Sequence, residues 1–334
     1  MTAGRQPLGP LAPPARLAVQ LTRTTASWGP GAPRIGVIHN ARARHNIGRN
    51  LPLVIAGCDH VMPLTHDELH DVLAGFVANG IDALIIDGGD GTVRDILSAL
   101  RRDFPDYHPR IAIVPSGKTN ALALDLGVAP GWSLSAAIDA VVNGQLLERT
   151  PVEIWRTGAD LPERAGFIFG AGAYEKATQT AQRTHRLGAF NGLAVGLSIA
   201  AAVGQTLFGG ANNAWRGGQS MRIAIGAREL FDGPHYLLFA STLQHLPLGI
   251  RPLGPQRPGL KLLRIEAPVR RLALAVPFIL AGAERPWLAR AGYQLHDASR
   301  IDLSLEGDFV LDGELFTGGD LSLRQGAPMR FVVP

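Results

Sequence analysis

An α/β domain built on a parallel sheet, followed by an antiparallel β domain, is the fold class this sequence predicts. Strand-like and helix-like segments alternate from residue 34 to residue 127. From about residue 149 that alternation gives way to a succession of short strand-like runs divided by turns. Between an apolar run and a helical one stands Gly88-Gly89-Asp90-Gly91. Three of these residues have no side chain to pack, and the fourth carries a charge that a buried turn would have to neutralise.

The first ordered element is "RIGVIHN", 34–40, a short apolar strand running into polar residues. Thr65 followed three residues later by Glu68 has the form of a capping box. Leu69, Val72, Leu73, Phe76 and Val77 then recur at helical spacing, and Gly80 is placed to stop the helix. "DALIID", 82–87, is a strand, "TVRDILSALRR" a helix, "RIAIVP", 110–115, a strand, and "TNALALDLG" a helix ending at Gly127. Short apolar strands without polar alternation are buried on both faces, which is the habit of a parallel sheet flanked by helices. In the second half "VEIWRT", "AGFIFGAG", "SMRIAIGA", "HYLLFASTL", "LKLLRIEA", "RIDLSLEG", "DFVLDGE" and "PMRFVVP" read as strands of an antiparallel sandwich or barrel. One long helical insert is expected over 189–207. The division expected is a leader over 1–33, a first domain over 34–148 and a β domain over 149–334.

Composition excludes several classes. The chain has 334 residues, 46% hydrophobic and 18% charged, with a formal net charge of +4, ordinary for a globular enzyme. Lys118, Lys176 and Lys261 are its only lysines. The single Cys58 excludes a disulfide framework. The leader is punctuated by proline and glycine without the apolar core of a signal peptide, and reads as disordered or loosely docked. "LAVGLSIAAAVGQTL", 193–207, falls short of the roughly 20 residues a bilayer requires and includes Ser198, Gly204 and Gln205, so no spanning helix is expected. His66 and His70 lie four apart on a helix with no further ligand in view. The five tryptophans are scattered and no basic-aromatic interleaving appears, so nucleic acid is not an expected partner.

Open α/β sheets bind ligands outside the carboxyl ends of their strands, which is where Gly88 to Gly91 stand. Glycines there allow positive φ and let backbone N–H groups approach a ligand closely. The helix N-terminus that follows favours anions, so a phosphate is the natural occupant. Two common phosphate loops do not fit. "PSGKTN", 115–120, ends like a Walker A loop, but the required first glycine is Ala112. The dinucleotide fingerprint fails where Arg94 occupies the place of the third glycine.

Gly88-Gly89-Asp90-Gly91-Thr92 resembles the GGDGT nucleotide loop of the diacylglycerol kinase and sphingosine kinase-like lipid kinases, a loop shared with NAD kinases. "PSGKTNALA", 115–123, is similar to the P-x-G-T-x-N-x-x-A segment of the lipid kinases, and "HNARARHN", 39–46, to their first loop. "VLDGELF" carries their Asp-Gly-Glu as Asp312, Gly313 and Glu314. The resemblance runs from about residue 34 to 334. It implies an ATP-binding α/β domain of the NAD kinase and diacylglycerol kinase type and a β domain that helps form a lipid site.

By that resemblance Asn40 and Arg44 of the first loop, Thr65, Gly88, Gly89, Asp90, Gly91, Thr92, Val93, Arg94, Lys118 and Asn120 line the nucleotide. Asp90 holds Mg²⁺ through Mg-ATP. Glu314 is the proton acceptor with Asp312 beside it, and either carboxylate fits the base. Departures from the pattern are Ala41, Lys118, Ala121 and the charged Asp87 just before the loop, and "PGL", 258–260, where some bacterial members hold a structural Mg²⁺. Two other readings stay open: an NAD kinase-like enzyme, and a nucleotide-binding regulatory protein of the same fold with weak catalysis. The expected partner is a lipid at a membrane surface, met from the cytoplasm by peripheral attachment, and a homodimer is left open. Arg251, Arg257, Lys261, Arg264, Arg270 and Arg271, interleaved with leucines over 246–282, are the expected attachment face. The apolar helix 193–207 serves either an acyl-chain pocket or the core.

Overall fold

The run Ile35–His39 is buried at every position, as is Ala83–Gly88, and Arg110–Pro115 is buried at all but its first. Strands of this kind need cover on both faces, and they form the centre of a mostly parallel sheet. In the computed structural model the described residues are 32–47, 58–185, 217–226 and 229–334. The expected helix over 189–207 and nearly all of the expected leader lie outside them.

The first half runs β1 (Ile35–His39), β2 (Cys58–Val61), α1 (His66–Ala78), β3 (Ala83–Gly88), α2 (Asp90–Asp103), β4 (Arg110–Pro115), α3 (Ala121–Asp125), α4 (Leu134–Asn143) and β5 (Gln145–Arg149). The capping box forms with a shift. Thr65 Oγ1 accepts from Glu68 N at 3.1 Å, while Glu68 Oε2 accepts from Leu64 N, one residue before the cap, at 2.6 Å. Leu69, Val72, Leu73 and Phe76 are buried, Val77 is exposed, and Gly80 ends the segment at φ +62°.

The second half continues with β6 (Val152–Arg156), β7 (Arg164–Gly166), β8 (Ile168–Gly172), α5 (Ala173–His185), β9 (Gln219–Ile225), β10 (Glu229–Ser241) and β11 (Leu260–Glu266). Two short helices, Leu272–Leu280 and Pro286–Arg290, lead to β12 (Tyr293–Ala298), β13 (Arg300–Leu305), β14 (Phe309–Leu311), β15 (Glu314–Phe316), β16 (Gly319–Gln325) and β17 (Met329–Val333).

The first sheet has the order β2-β1-β3-β4-β17-β5, and only β5 pairs antiparallel. All pairings in the second sheet are antiparallel. The last strand, grouped by its sequence with the β domain, returns to the first sheet. Phe331, Val332 and Val333 of β17 are buried between β4 and β5. Helix α2 ties the two halves together. Ser98 Oγ accepts from Ala165 N on β7 at 2.9 Å, and Arg101 pairs with Glu153 on β6 at 2.7 Å.

The expected attachment face needs correction at two residues. Lys261 and Arg264 are only 2% and 1% exposed, because β11 lies between β10 and β12 and is buried along nearly its whole length. Lys261 Nζ donates to the carbonyl of Leu243 and to that of Arg257, the latter at 3.0 Å. Burial pulls its pKa down to about 8. Arg264 hydrogen-bonds His235 and Glu266 at 3.1 Å each and lies 3.8 Å above the Phe231 ring. Arg257 is held by Asp297 at 2.9 Å. Lys261 and Arg264 thus serve the inside of the β domain, while the Arg257–Asp297 pair lies at its surface.

Candidate active site

Strands β2, β1, β3 and β4 end side by side, and the loops leaving their carboxyl ends form one edge of the sheet. Every residue expected on the nucleotide side lies on these loops or on the first turn of α2. Asn40 Nδ2 donates to Thr92 Oγ1 at 2.7 Å, so the loop after β1 is fastened to α2. His45 N reaches the carbonyl of Ser116 at 3.0 Å, fastening the same loop to the turn after β4. Thr65 caps α1 at the edge of the group. Arg44 and Lys118 are exposed and take no hydrogen bond among the described residues.

Gly88, Gly89 and Gly91 do not have positive φ, contrary to the conformational reason expected for them. Space is what two of them supply. A Cβ on Gly89 would stand 2.9 Å from the Cα of Gly117, and one on Gly117 would stand 2.5 Å from the Cα of Gly89. The glycine loop and the "PSGKTN" turn therefore touch backbone to backbone. A Cβ on Gly88 would run into Thr92 at 2.6 Å, whereas Gly91 has nothing nearer than Arg94 Nη2 at 3.7 Å. Asn120, at φ +51°, holds the second turn from within: its Oδ1 accepts from Gly117 N at 2.9 Å.

Asp87 explains itself in three dimensions. It ends β3 beneath the glycine loop and is buried with His39, Asn46 and Ser116. His39 Nδ1 lies 2.8 Å away, Asn46 Nδ2 3.0 Å and Ser116 Oγ 2.5 Å. Burial pushes the Asp87 carboxyl up, but hydrogen bonds from His39, Ser116 and Asn46 outweigh it and hold the group below the ordinary carboxylate range. One carboxylate thus binds the ends of β1, β3 and β4 just below the three loops.

Asp90 turns toward the N-terminus of α3, where its Oδ1 accepts from Ala121 N at 2.7 Å. Burial raises its pKa against the pull of the N–H groups of Ala121, Asn120 and Leu122 and of the Arg94 charge. Asp312 approaches from the β domain. With φ +46° at Asp312 and +83° at Gly313, and Leu311 paired to Glu314, the segment is a two-residue hairpin turn of the kind Asp-Gly favours. The expected site residues Asp312 and Glu314 therefore lie on a tight hairpin. Asp312 Oδ1 accepts from Ile168 N at 2.9 Å, and Phe167 N reaches both carboxyl oxygens at 3.1 Å. A Cβ on Gly166 would collide with Asp312 Oδ2, so a glycine is needed there.

The two aspartates feel one another. Burial and the negative charge of Asp90 push Asp312 up to about 7, against the N–H groups of Ile168 and Phe167 and the Arg94 charge. The Tyr174 phenol is raised by its burial and by the charges of Asp312 and Asp90. Glu314 opens β15 on the exposed side of the hairpin, and its carboxylate takes no hydrogen bond or ion pair among the described residues. Arg94 is buried and its nitrogens are taken: Nε and Nη2 by Asp95 at 3.0 and 2.8 Å, and Nη1 by the Leu311 carbonyl at 3.3 Å. Tyr174, Arg164 and Phe316 were not legible as site residues, since none belongs to a motif.

Among the described residues no group of three or more His, Cys, Asp or Glu side chains is set to hold a metal by itself. The donor chemistry still suits a magnesium–nucleotide. Two buried carboxylates, one of them lifted toward neutrality by its burial and then by the charge of the other, are a pair that a bound cation would relieve. His66 and His70 lie 3.7 Å from Asp95 and 3.9 Å from Asp71.

Comparison with known proteins agrees with this geometry. Residues 39–154 match the family described as the diacylglycerol kinase catalytic domain. Diacylglycerol kinases of Mycobacterium tuberculosis, strains CDC 1551 / Oshkosh and ATCC 25618 / H37Rv, are each 40% identical over 80 residues, 24% of this chain and 24% of their own length. The matched stretch thus spans about a quarter of those curated relatives. The crystal structure of a diacylglycerol kinase from Bacillus anthracis str. Sterne shares the fold at a TM-score of 0.59 and 14% identity, covering 90% of this chain and 97% of that one. The part of the chain that is similar to the diacylglycerol kinase catalytic domain, residues 39–154, is the part that supplies the glycine loop, its neighbouring turns and Asp90.

Proposed function

We propose that the protein transfers the terminal phosphoryl group of ATP to a hydroxyl of diacylglycerol or a related lipid alcohol. The observation that carries this reading is that Asp90, from the glycine loop, and Asp312, from the Asp-Gly-Glu hairpin, are buried near enough for the charge of Asp90 to raise the Asp312 carboxyl. The unpaired N–H groups in the first turn of α2 suit the phosphates. In the transfer the lipid hydroxyl oxygen bonds to the γ-phosphorus, the bond to the β–γ bridging oxygen breaks, and nucleoside diphosphate departs. Asp90 and Asp312 would face Mg²⁺, which when bound supplies charge neutralisation for the phosphates. Glu314 takes the hydroxyl proton: its carboxylate is unfastened and exposed, whereas Asp312 is fixed by two backbone N–H groups. Glu314→Gln should lower kcat by about 10²-fold with nucleotide affinity unchanged. Wild-type kcat in that variant would return the proton to Asp312.

Attachment to the lipid surface is assigned to the helix Leu272–Leu280. Leu274 is 56% exposed on it, and Leu248 on the adjoining loop is 61% exposed. The loop is joined to the helix end by Arg251 N donating to the Leu280 carbonyl at 2.8 Å. Arg251, Arg270 and Arg271 are exposed around it and make no ion pair among the described residues. Each basic residue near an anionic surface adds about 1 kcal/mol, screened within a Debye length of about 8 Å. Arg270→Gln with Arg271→Gln should therefore weaken binding to anionic vesicles about 30-fold at low salt. Equal binding by wild type and variant would move the attachment face elsewhere.

The deciding assay for the function is labelled γ-phosphate transfer to diacylglycerol, monoacylglycerol, ceramide, sphingoid bases and NAD. Transfer to NAD alone would replace this reading with the NAD kinase one. Transfer to none would leave a nucleotide-binding protein.

A further inference from the structure

Two arginines approach the ring of Phe316 on β15, Arg94 with its Cζ at 5.3 Å and Arg164 with its Cζ at 4.8 Å. Their situations differ. The nitrogens of Arg94 are consumed by Asp95 and by the Leu311 carbonyl, so that side chain locks α2 to the hairpin. The Arg164 side chain makes no hydrogen bond or ion pair among the described residues, and its buried Nε has no partner. A guanidinium laid on an aromatic ring with its fork of donors unused is a ready receptor for a phosphate, because the ring supports the cation without occupying any N–H group.

The position of Arg164 says which phosphate. It stands two residues before Gly166 on β7, so the two residues share one face of the strand, about 7 Å apart. Gly166 is the residue whose missing side chain makes room for Asp312 Oδ2. On the hairpin, Glu314 and Phe316 share a face by the same alternation. Arg164 therefore belongs to the β-domain side, beside Asp312 and the strand that carries Glu314, and away from the loops after β1 and β4.

We infer that Arg164, backed by Phe316, binds the phosphomonoester of the lipid product and the phosphoryl group as it arrives there. This rests on the lipid kinase reading above. No new chemistry is needed: the oxygen–phosphorus bond made to the lipid and the bond broken to the nucleotide are those already described, and Arg164 only holds the non-bridging oxygens. A phosphomonoester of this kind is also presented by inorganic phosphate, so the two sources must be separated.

The experiment uses the full chain, as wild type, Arg164→Gln, Arg164→Lys and Phe316→Leu. Three quantities are measured: ATP affinity by calorimetry, kcat and KM with a short-chain diacylglycerol dissolved in water, and binding of the matching short-chain phosphatidic acid against inorganic phosphate. Arg164→Gln should bind the lipid phosphate at least tenfold more weakly, lower kcat by about tenfold or more, and leave ATP affinity unchanged. Arg164→Lys should recover part of both losses. Phe316→Leu, which keeps the charge and removes its support, should weaken lipid phosphate binding less than Arg164→Gln does and serves if that variant does not fold. Unchanged lipid phosphate binding in folded Arg164→Gln overturns the inference, and so does a loss of ATP affinity in its place. Equal loss for inorganic phosphate and lipid phosphate supports an anion subsite that reads the phosphate only, and a loss confined to the lipid form supports one that reads the product. Should wild type phosphorylate no lipid, the kinase reading falls, while the calorimetric comparison still decides the role of Arg164.

Discussion

Asp312→Asn is expected to reduce phosphoryl transfer by about 10²-fold or more and, at the same time, to stabilise the protein above pH 7. The carboxyl is raised from an ordinary 3.8 to about 7 by burial and by facing Asp90. Between those values the unfolded chain has lost the proton that the folded chain keeps. The unfolded state then binds fewer protons, so stability falls as pH rises through about 4 to 7 and levels off above. Three units at about 1.4 kcal/mol each set an upper bound near 4 kcal/mol. Asparagine keeps an oxygen for the N–H groups of Phe167 and Ile168 and has no proton to lose. Urea midpoints of the two proteins should therefore coincide near pH 4 and separate by pH 8. Midpoint curves that stay parallel across this range would show that Asp312 is not strained by its site. Nucleotide affinity in the presence of magnesium should rise with pH through 7 in wild type and be flat in the variant.

The second large effect is a contrast between two glycines of one site. Gly117→Ala must push apart two backbones whose separation leaves no room for a Cβ, with Asn120 Oδ1 also only 2.7 Å from the new atom. Overpacking of this kind costs about 1–3 kcal/mol, and the loop it displaces is the proposed phosphate cradle, so the KM for ATP should rise at least tenfold. Gly91→Ala is the opposite case. It lies in the first turn of α2 with open space around it and ordinary φ, and alanine there should be neutral or stabilising by up to about 1 kcal/mol. Denaturation midpoints for the two variants decide the matter. If Gly117→Ala is as stable as Gly91→Ala, the contact between the loops is not what requires glycine.

What could be read from the sequence alone was what is local along the chain. Uninterrupted apolar runs identified β1, β3 and β4, since a strand buried on both faces has no polar positions to spare. The capping pair at Thr65 and Glu68, the stop at Gly80 and the Asp-Gly-Glu turn are also written within a few residues. Tertiary structure decided everything that depends on a partner far away in the chain. The pattern of β17 declares a buried strand, but pairing with β4 rather than with the β domain depends on which sheet leaves a slot for Phe331 and Val332. Lys261 and Arg264 look like surface charge in a linear sequence; only the placement of β11 between β10 and β12 puts them inside, where carbonyls and an aromatic ring replace water. Asp87 is an anomaly in its own strand and acquires a reason only when His39, Asn46 and Ser116 arrive from neighbouring strands and turns. The glycine loop was legible as a binding loop, but the need for Gly89 was not, because its cause is the backbone at Gly117.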